Sequence, residues 1–221
     1  MTDKKEFAST FSLTDEIAEI IRNRILKGEY QIGEKIKETK IASELCVSRT
    51  PIREAFKLLE NEGLIDYVPN RGCFAKGFTK QDIDDIYAVR TALEQIAVER
   101  SIDRITEEEI AQLEEQCDLL EFYAKKKDSK KVMELNSSFH EVIYASTQSR
   151  FMAQVLRSYK EYIDKTRKSV FYDESYMLAI LDEHRQIFDA IKARDKEAAA
   201  EAVVNHLVKS QDRAETVWNL K

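Results

Sequence analysis

The chain has 221 residues and only three histidines. Each falls on an apolar stripe at helical spacing. His140 recurs with Asn136, Ile143 and Tyr144, and His184 with Ile187, Phe188 and Ile191. His206 recurs with Ala199, Val203, Leu207 and Ser210. One inward histidine is commonly a satisfied core residue. Three of three, on three separate helices, point to convergence on one site. Neutral imidazoles are the commonest transition-metal ligands, and bundle cores are where such sites form. Asn136 precedes His140 by one helical turn, so its carbonyl oxygen is a candidate fourth ligand. This pattern predicts a divalent ion of the Zn, Ni or Mn kind with open positions. The alternative is a metal-free pocket whose histidines hydrogen-bond. Three imidazoles and an amide leave the ion its full charge, which favours an anionic effector such as a small carboxylate.

A further stripe, Ile83, Ile86, Tyr87, Arg90, Leu93 and Ala97, turns Arg90 inward, with Glu94 one turn later. A buried arginine is costly unless paired. Two readings follow: an Arg90–Glu94 ion pair closing a bundle layer, or a cationic clamp for a carboxylate or phosphate ligand. In the second reading Arg90 and Tyr87 are the candidate effector contacts.

The other chemistry-bearing stretch is Ser48 to Phe56. Ser48 can cap a helix, and Pro51 suits a first turn. Arg49, Thr50 and Arg53 crowd the same turn, while Ile52, Ala55, Phe56 and Leu59 form an apolar rear stripe. Such a helix looks like a recognition helix offered to DNA. Arg49 and Arg53 suit bidentate contact to guanine or phosphate.

The flanking elements decide how these residues are presented. Thr14 is a plausible cap for a first helix that Gly28 stops. A short helix over about Lys37 to Leu45 and a turn at Cys46-Val47 lead into the Ser48 helix, the layout of a helix-turn-helix. Gly63 ends that helix. Two β-prone runs, Leu64 to Val68 and Cys73 to Phe78, flank Pro69-Asn70-Arg71-Gly72, a natural hairpin tip. Arg71 there is free to reach a phosphate or the minor groove. Helix, helix-turn-helix and hairpin together describe a winged helix over 1–78, with Phe7 and Phe11 able to pack on it. From Thr79 onward, helical periodicity runs with almost no Gly or Pro. It predicts six helices at about 79–102, 106–127, 129–146, 149–171, 174–194 and 195–217. Short connections make them antiparallel neighbours in a bundle over 79–221. The fold class is mostly α.

Bulk composition narrows the classes. The chain has 34% charged residues, 5 Gly and 2 Pro, as a mostly helical protein does. No apolar run is long enough to span a bilayer, and the polar start is no signal peptide. Three cysteines without a CxxC pair argue against a disulfide framework and for a reducing cytoplasm. The net charge of -6 lies wholly in 79–221, because 1–78 carries equal numbers of basic and acidic residues. DNA affinity must then come from a local basic face, and two copies are expected to act together.

The first half, from Thr14 to about Phe78, resembles the DNA-binding domain of the GntR family of bacterial transcription regulators. VSRTPIREAFKLLENEGLI followed by PNRG carries the likeness. The resemblance implies that Ser48, Arg49, Thr50 and Arg53 contact bases or phosphates, with Arg71 and Gly72 at the wing tip. Thr39 stands where some relatives carry a DNA-contacting arginine, and Cys46 replaces a glycine common in the turn. The second half resembles the FCD ligand-binding domain of the FadR subfamily, through YAVRTALEQIAVE, NSSFHEVIY, DEHRQIFDAIKARDKEAA and VNHL. In metal-binding members a carboxylate and three histidines hold a divalent ion. His140, His184 and His206 match those histidines, and Asn136 stands where Asp is usual. Six helices rather than seven resemble the smaller VanR-type branch.

The family resemblance implies a homodimeric regulator of an operator in double-stranded DNA, answering to a small carboxylate, and most often a repressor. Two rivals remain. A metal-dependent bundle enzyme would need HExxH or paired Glu-x-x-His motifs, and neither occurs. A DNA-binding dimer without effector would leave Arg90 and the histidines replaceable.

Overall fold

The computed structural model describes residues 12–77, 79–166 and 174–219. Phe7, Phe11, Phe78 and the segment 167–171 of the fourth expected bundle helix lie outside them. The chain divides into two compact units, 1–79 and 80–221. Among the described residues no helix is long and apolar enough to cross a membrane.

The first unit is a winged helix. It runs α1 (Leu13–Leu26), β1 (Lys35–Ile36), α2 (Glu38–Leu45), α3 (Arg49–Asn61), β2 (Ile65–Val68) and β3 (Gly72–Ala75). The cap of α1 is Ser12 rather than Thr14. Its side chain accepts the Asp15 N–H while Asp15 reaches back to the Ser12 backbone. That reciprocal box satisfies two otherwise orphaned donors at once, which Thr14 cannot do from inside the helix. Ile17, Ile21 and Ile25 of α1 pack with Ile52, Phe56 and Leu59 of α3 in the buried core. Ser48 does stand at the cap position of α3, but its side chain makes no capping hydrogen bond. Its hydroxyl remains on the exposed surface.

The sheet has strand order β1-β3-β2, all antiparallel. Ile65 faces Ala75, Tyr67 faces Cys73 and Val68 faces Gly72, so the hairpin turns at Pro69 to Arg71 as its sequence predicts. The two-residue β1, Lys35 opposite Phe74, is too short to leave a periodic signal. Gly72 sits at φ 103, where a Cβ would come within 3.0 Å of Lys35 Cε. The backbone angle therefore calls for glycine there, while the lysine tip could swing aside. Cys46 ends α2 at φ 54 and ψ 40. This left-handed position costs a non-glycine residue about 1 kcal/mol.

Among the described residues the second unit is a bundle of six helices: α4 (Lys80–Ile102), α5 (Glu107–Lys125), α6 (Ser129–Ser146), α7 (Arg150–Thr166), α8 (Glu174–Lys192) and α9 (Lys196–Asn219). Thr106 and Glu109 form a capping box at α5, and Asp128 caps α6. Ile143, Phe139, Ile187, Phe188, Val203 and Leu207 are part of one continuous core shared by α4, α5, α6, α8 and α9. Burying each such side chain contributes roughly 1.5–3 kcal/mol. Lys125, Lys126 and Lys127 are an exposed helix end, Lys125 on Glu121 and Lys127 on Glu174.

Candidate functional site

α6, α8 and α9 turn one histidine each into the centre of the bundle. His140, His184 and His206 are 1%, 0% and 3% exposed. One nitrogen from each ring lies within 4.8 Å of the other two. The other ring nitrogen has a hydrogen-bond partner in His184 and His206, and lies beside a carboxylate in His140. His184 Nδ1 lies 2.7 Å from the Ile180 carbonyl, and His206 Nδ1 lies 2.8 Å from Glu183 Oε2. His140 Nδ1 lies 3.0 Å from Glu94 Oε2, off the straight line of its N–H. The acceptors beside His184 and His206 place a proton on Nδ1 of each and leave their Nε2 lone pairs to the interior. His140 Nε2 and His206 Nε2 then face each other at 3.2 Å. His184 Nε2 is buried without a hydrogen-bond partner.

The imidazoles cannot relieve this by protonation. Burial pushes His184 down to about 3, and pushes His140 and His206 to about 4, despite Glu94 and Glu183 beside the latter two. Neutral imidazole nitrogens gathered this closely, with His184 Nε2 lacking a hydrogen-bond partner among the described residues, are a donor set for a cation. Three neutral nitrogens converging in a buried core fit a divalent transition metal.

Each of two histidines is backed by an Arg–Glu pair. Arg90 Nε donates to Glu94 Oε1 at 2.5 Å, and Tyr144 Oη donates to the same oxygen at 2.7 Å. Burial alone would raise the Glu94 carboxyl, but the Arg90 charge, His140 and Tyr144 hold it well below the usual range. On the other side Arg213 grips Glu183 with both terminal nitrogens, at 2.8 and 2.7 Å. Burial opposes ionisation there too, yet Arg213 and His206 bring Glu183 down to about 2. Both carboxylates are thus ionised; Glu183 holds the His206 imidazole in one tautomer, and Glu94 lies beside His140.

Beside the histidines lies a narrow cleft with room for about one water. Arg90, Asn136, Lys160, Tyr176, Ser210 and Arg213 line it with His140 and His206. Arg90 therefore does both things its sequence position allowed: it pairs with Glu94 and it borders the cleft. Asn136 is half-buried on the same wall as His140. Tyr87 is buried behind the cleft, its hydroxyl 3.1 Å from Ser210 Oγ, so it supports a wall residue rather than forming the wall.

Lys160, Tyr176, Glu183 and Arg213 were not found by sequence reasoning. Arg213 had a signal, since His206, Ser210 and Arg213 continue one stripe. So did Lys160, which interrupts the buried stripe Ala153, Leu156, Ile163 of α7. Glu183 had none, because its partners lie on another helix.

In the first unit Ser48, Arg49, Thr50 and Arg53 are all exposed on the first turns of α3. Glu38, at the start of α2, holds Arg53 Nε at 3.0 Å. Arg71 is exposed at the hairpin tip, its guanidinium 5.8 Å from the Phe74 ring, with Lys35 5.9 Å from the same ring. Gly72 makes the close approach of Lys35 possible. The six expected contacts thus fall on a helix end and a wing tip of one small unit. Thr39 is exposed on α2. Glu38, Lys35 and Phe74 carried no signal of their own.

Comparison with known proteins agrees with both units. Residues 13–75 match the model of bacterial regulatory proteins, gntR family, and residues 85–209 match the FCD domain. The chain is 36% identical over 188 residues to the HTH-type transcriptional regulator YdhC of Bacillus subtilis, covering 84% of each. It is 26% identical over 221 residues to the HTH-type transcriptional repressor RspR of Escherichia coli K12, covering 100% of this chain and 96% of that one. The structure of E. coli McbR/YncC shares the fold, with a TM-score of 0.70 at 19% identity over 95% of this chain and 100% of that one. These domains and relatives are transcription regulators, not enzymes. The chain belongs to the GntR family of bacterial transcription regulators, in the branch whose second domain is an FCD domain.

Proposed function

We propose that this regulator is a cytoplasmic homodimeric repressor whose grip on an operator in double-stranded DNA answers to a small carboxylate held beside a divalent metal. The observation that carries this reading is the convergence of the three buried histidines: one ring nitrogen of each lies within 4.8 Å of the other two, while Nδ1 of His184 and of His206 is held by an acceptor. His140, His184 and His206 would hold the ion, Zn, Ni or Mn, with Asn136 on the adjoining wall. The ion supplies a positive centre with exchangeable positions for an anion.

Arg90 borders the same cleft and offers the carboxylate a second cationic contact. The cleft as it stands has room for about one water, so an effector enters only as wall side chains part. On the DNA side, Ser48, Arg49, Thr50 and Arg53 would read or clamp the major groove, with Arg71 and Gly72 at the adjacent backbone. Coupling then needs only that the effector bind one arrangement of the dimer better than another. The sense is taken from RspR, which is a repressor.

The test is metal analysis of protein made without a histidine tag. About one equivalent of a divalent transition metal per chain is expected, lost together in His140→Ala and His184→Ala. Protein that takes up no such ion, and whose melting temperature no such ion raises, would end the metal reading.

A further inference from the structure

Helix α4 is apolar on two sides. Its inner side carries Ile83, Tyr87, Ala97 and Val98, with Arg90 and Glu94 at the histidine site. Its outer side carries Val89 and Ile96, each 43% exposed, with exposed Ala88 and Ala92 between and beside them. A surface helix of a finished bundle has a polar outer face, and a helix apolar all round is a covered one. The stripe Asp85, Val89, Ala92, Ile96, Arg100 steps by four, three, four and four residues, the spacing of a helix–helix seam.

That stripe is self-complementary. A two-fold axis through the point between Ala92 and Leu93 pairs two copies of α4 antiparallel. It sets Val89 on the partner's Ile96, Ala92 near the axis, and Asp85 opposite the partner's Arg100. Both charges are exposed. Among the described residues Asp85 takes a hydrogen bond only from Gln81, one turn back on its own helix. An isologous interface requires this: the same patch on both chains, acid meeting base under the two-fold. Phe151, 79% exposed, projects from the start of α7, whose Met152 and Ala153 pack with Leu93 and Ala97 of α4. It offers an apolar neighbour at one flank of the stripe.

We propose that the outer face of α4 is the dimer seam, occupied by α4 of a second copy of this chain, with two Asp85–Arg100 pairs closing its ends. This rests on the homodimer reading above and adds its location. It also places the seam and the effector contact Arg90 on opposite faces of one helix, a turn apart. An effector that shifts Arg90 then acts on the helix that sets the pairing of the two copies.

The test is sedimentation analysis of the full-length chain across a concentration series, with unfolding curves as a control for fold. The wild type is measured first and is expected to be dimeric. Ile96→Glu puts two carboxylates in the seam and should weaken dimerisation about 30-fold or more. Asp85→Arg and Arg100→Asp each set like charges face to face and should weaken it on the order of 10-fold. The double variant Asp85→Arg/Arg100→Asp rebuilds the pairs with reversed sign and should recover most of that loss. A dimer indifferent to Ile96→Glu, or a double variant no better than its singles combined, overturns the seam and leaves the homodimer standing. A wild type that stays monomeric removes the homodimer reading and the seam together.

Discussion

Two arginines of this protein each hold a glutamate, and they differ in almost everything else. Arg53 meets Glu38 at 3.0 Å on the surface, the side chains 59% and 21% exposed. Arg90 meets Glu94 at 2.5 Å in the bundle, the side chains 4% and 3% exposed. The exposed pair is screened by water and salt and can be exchanged for a phosphate or a base at little cost. The buried pair is a commitment, since either partner alone would be an ionised group in a core. At these two positions the surface cation stays open to exchange, and the buried one is locked to a carboxylate that lies beside a histidine. In the function proposed above, the first kind would serve a reading surface that trades partners, and the second a sensing core that a ligand rearranges.

The largest effect that can break this contrast is in the core. Arg90→Met leaves the Glu94 carboxylate buried among Tyr144 and His140, and should cost about 3–5 kcal/mol of stability. Denaturant unfolding measures it, and a loss under about 1 kcal/mol would mean that the pair behaves as a surface one.

Next comes acid. The three histidines, at about 3 to 4 in the fold, all lie below the ordinary value of about 6.5. Between those values the unfolded chain binds more protons than the folded one, so stability present above about pH 6.5 is lost as pH falls toward 4. Glu183, held at about 2, adds loss of the same sign below about pH 4.5. The melting temperature of metal-free protein should fall steadily from about pH 7 to pH 5, where the first unit, which has no histidine, contributes nothing. A flat profile would show the histidines to be accessible to protons in the fold.

The smallest effects belong to the surface pair. Arg53→Ala should cost on the order of 1–3 kcal/mol on the cognate operator, read by titration at fixed salt. Glu38→Gln should change stability by less than about 1 kcal/mol. A large stability loss in Glu38→Gln would make the two pairs alike after all.

Much of the fold was legible because helix membership is a local property. Six bundle helices, the helix-turn-helix and the hairpin tip all follow from spacing and from glycine, and all are present. What escaped was short or shared. β1 is two residues long and exists only because Lys35 and Ile36 find β3. The cap of α1 shifted from Thr14 to Ser12 because a reciprocal box with Asp15 outweighs a lone hydroxyl. In the site, Arg90, Glu94 and the three histidines were placed inward correctly by periodicity. Tyr87 was inward too, but inward is not the same as on the cleft wall.

The sequence by itself determined which residues leave the solvent: a stripe repeating every three or four positions can face only one way. It therefore determined that all three histidines and Arg90 are buried, and that Ser48 to Arg53 begin a helix with their cations outside. Only the tertiary structure decided who meets whom. Glu183 on α8 bonds His206 on α9, and Arg213 completes that group from two turns further along α9. Ile180 gives its carbonyl to His184, and His140 and His206 bring their Nε2 atoms to 3.2 Å from opposite helices. Those meetings depend on how far each helix is rotated and slid against its neighbours. That is set by the packing of the whole core, which no single stripe records.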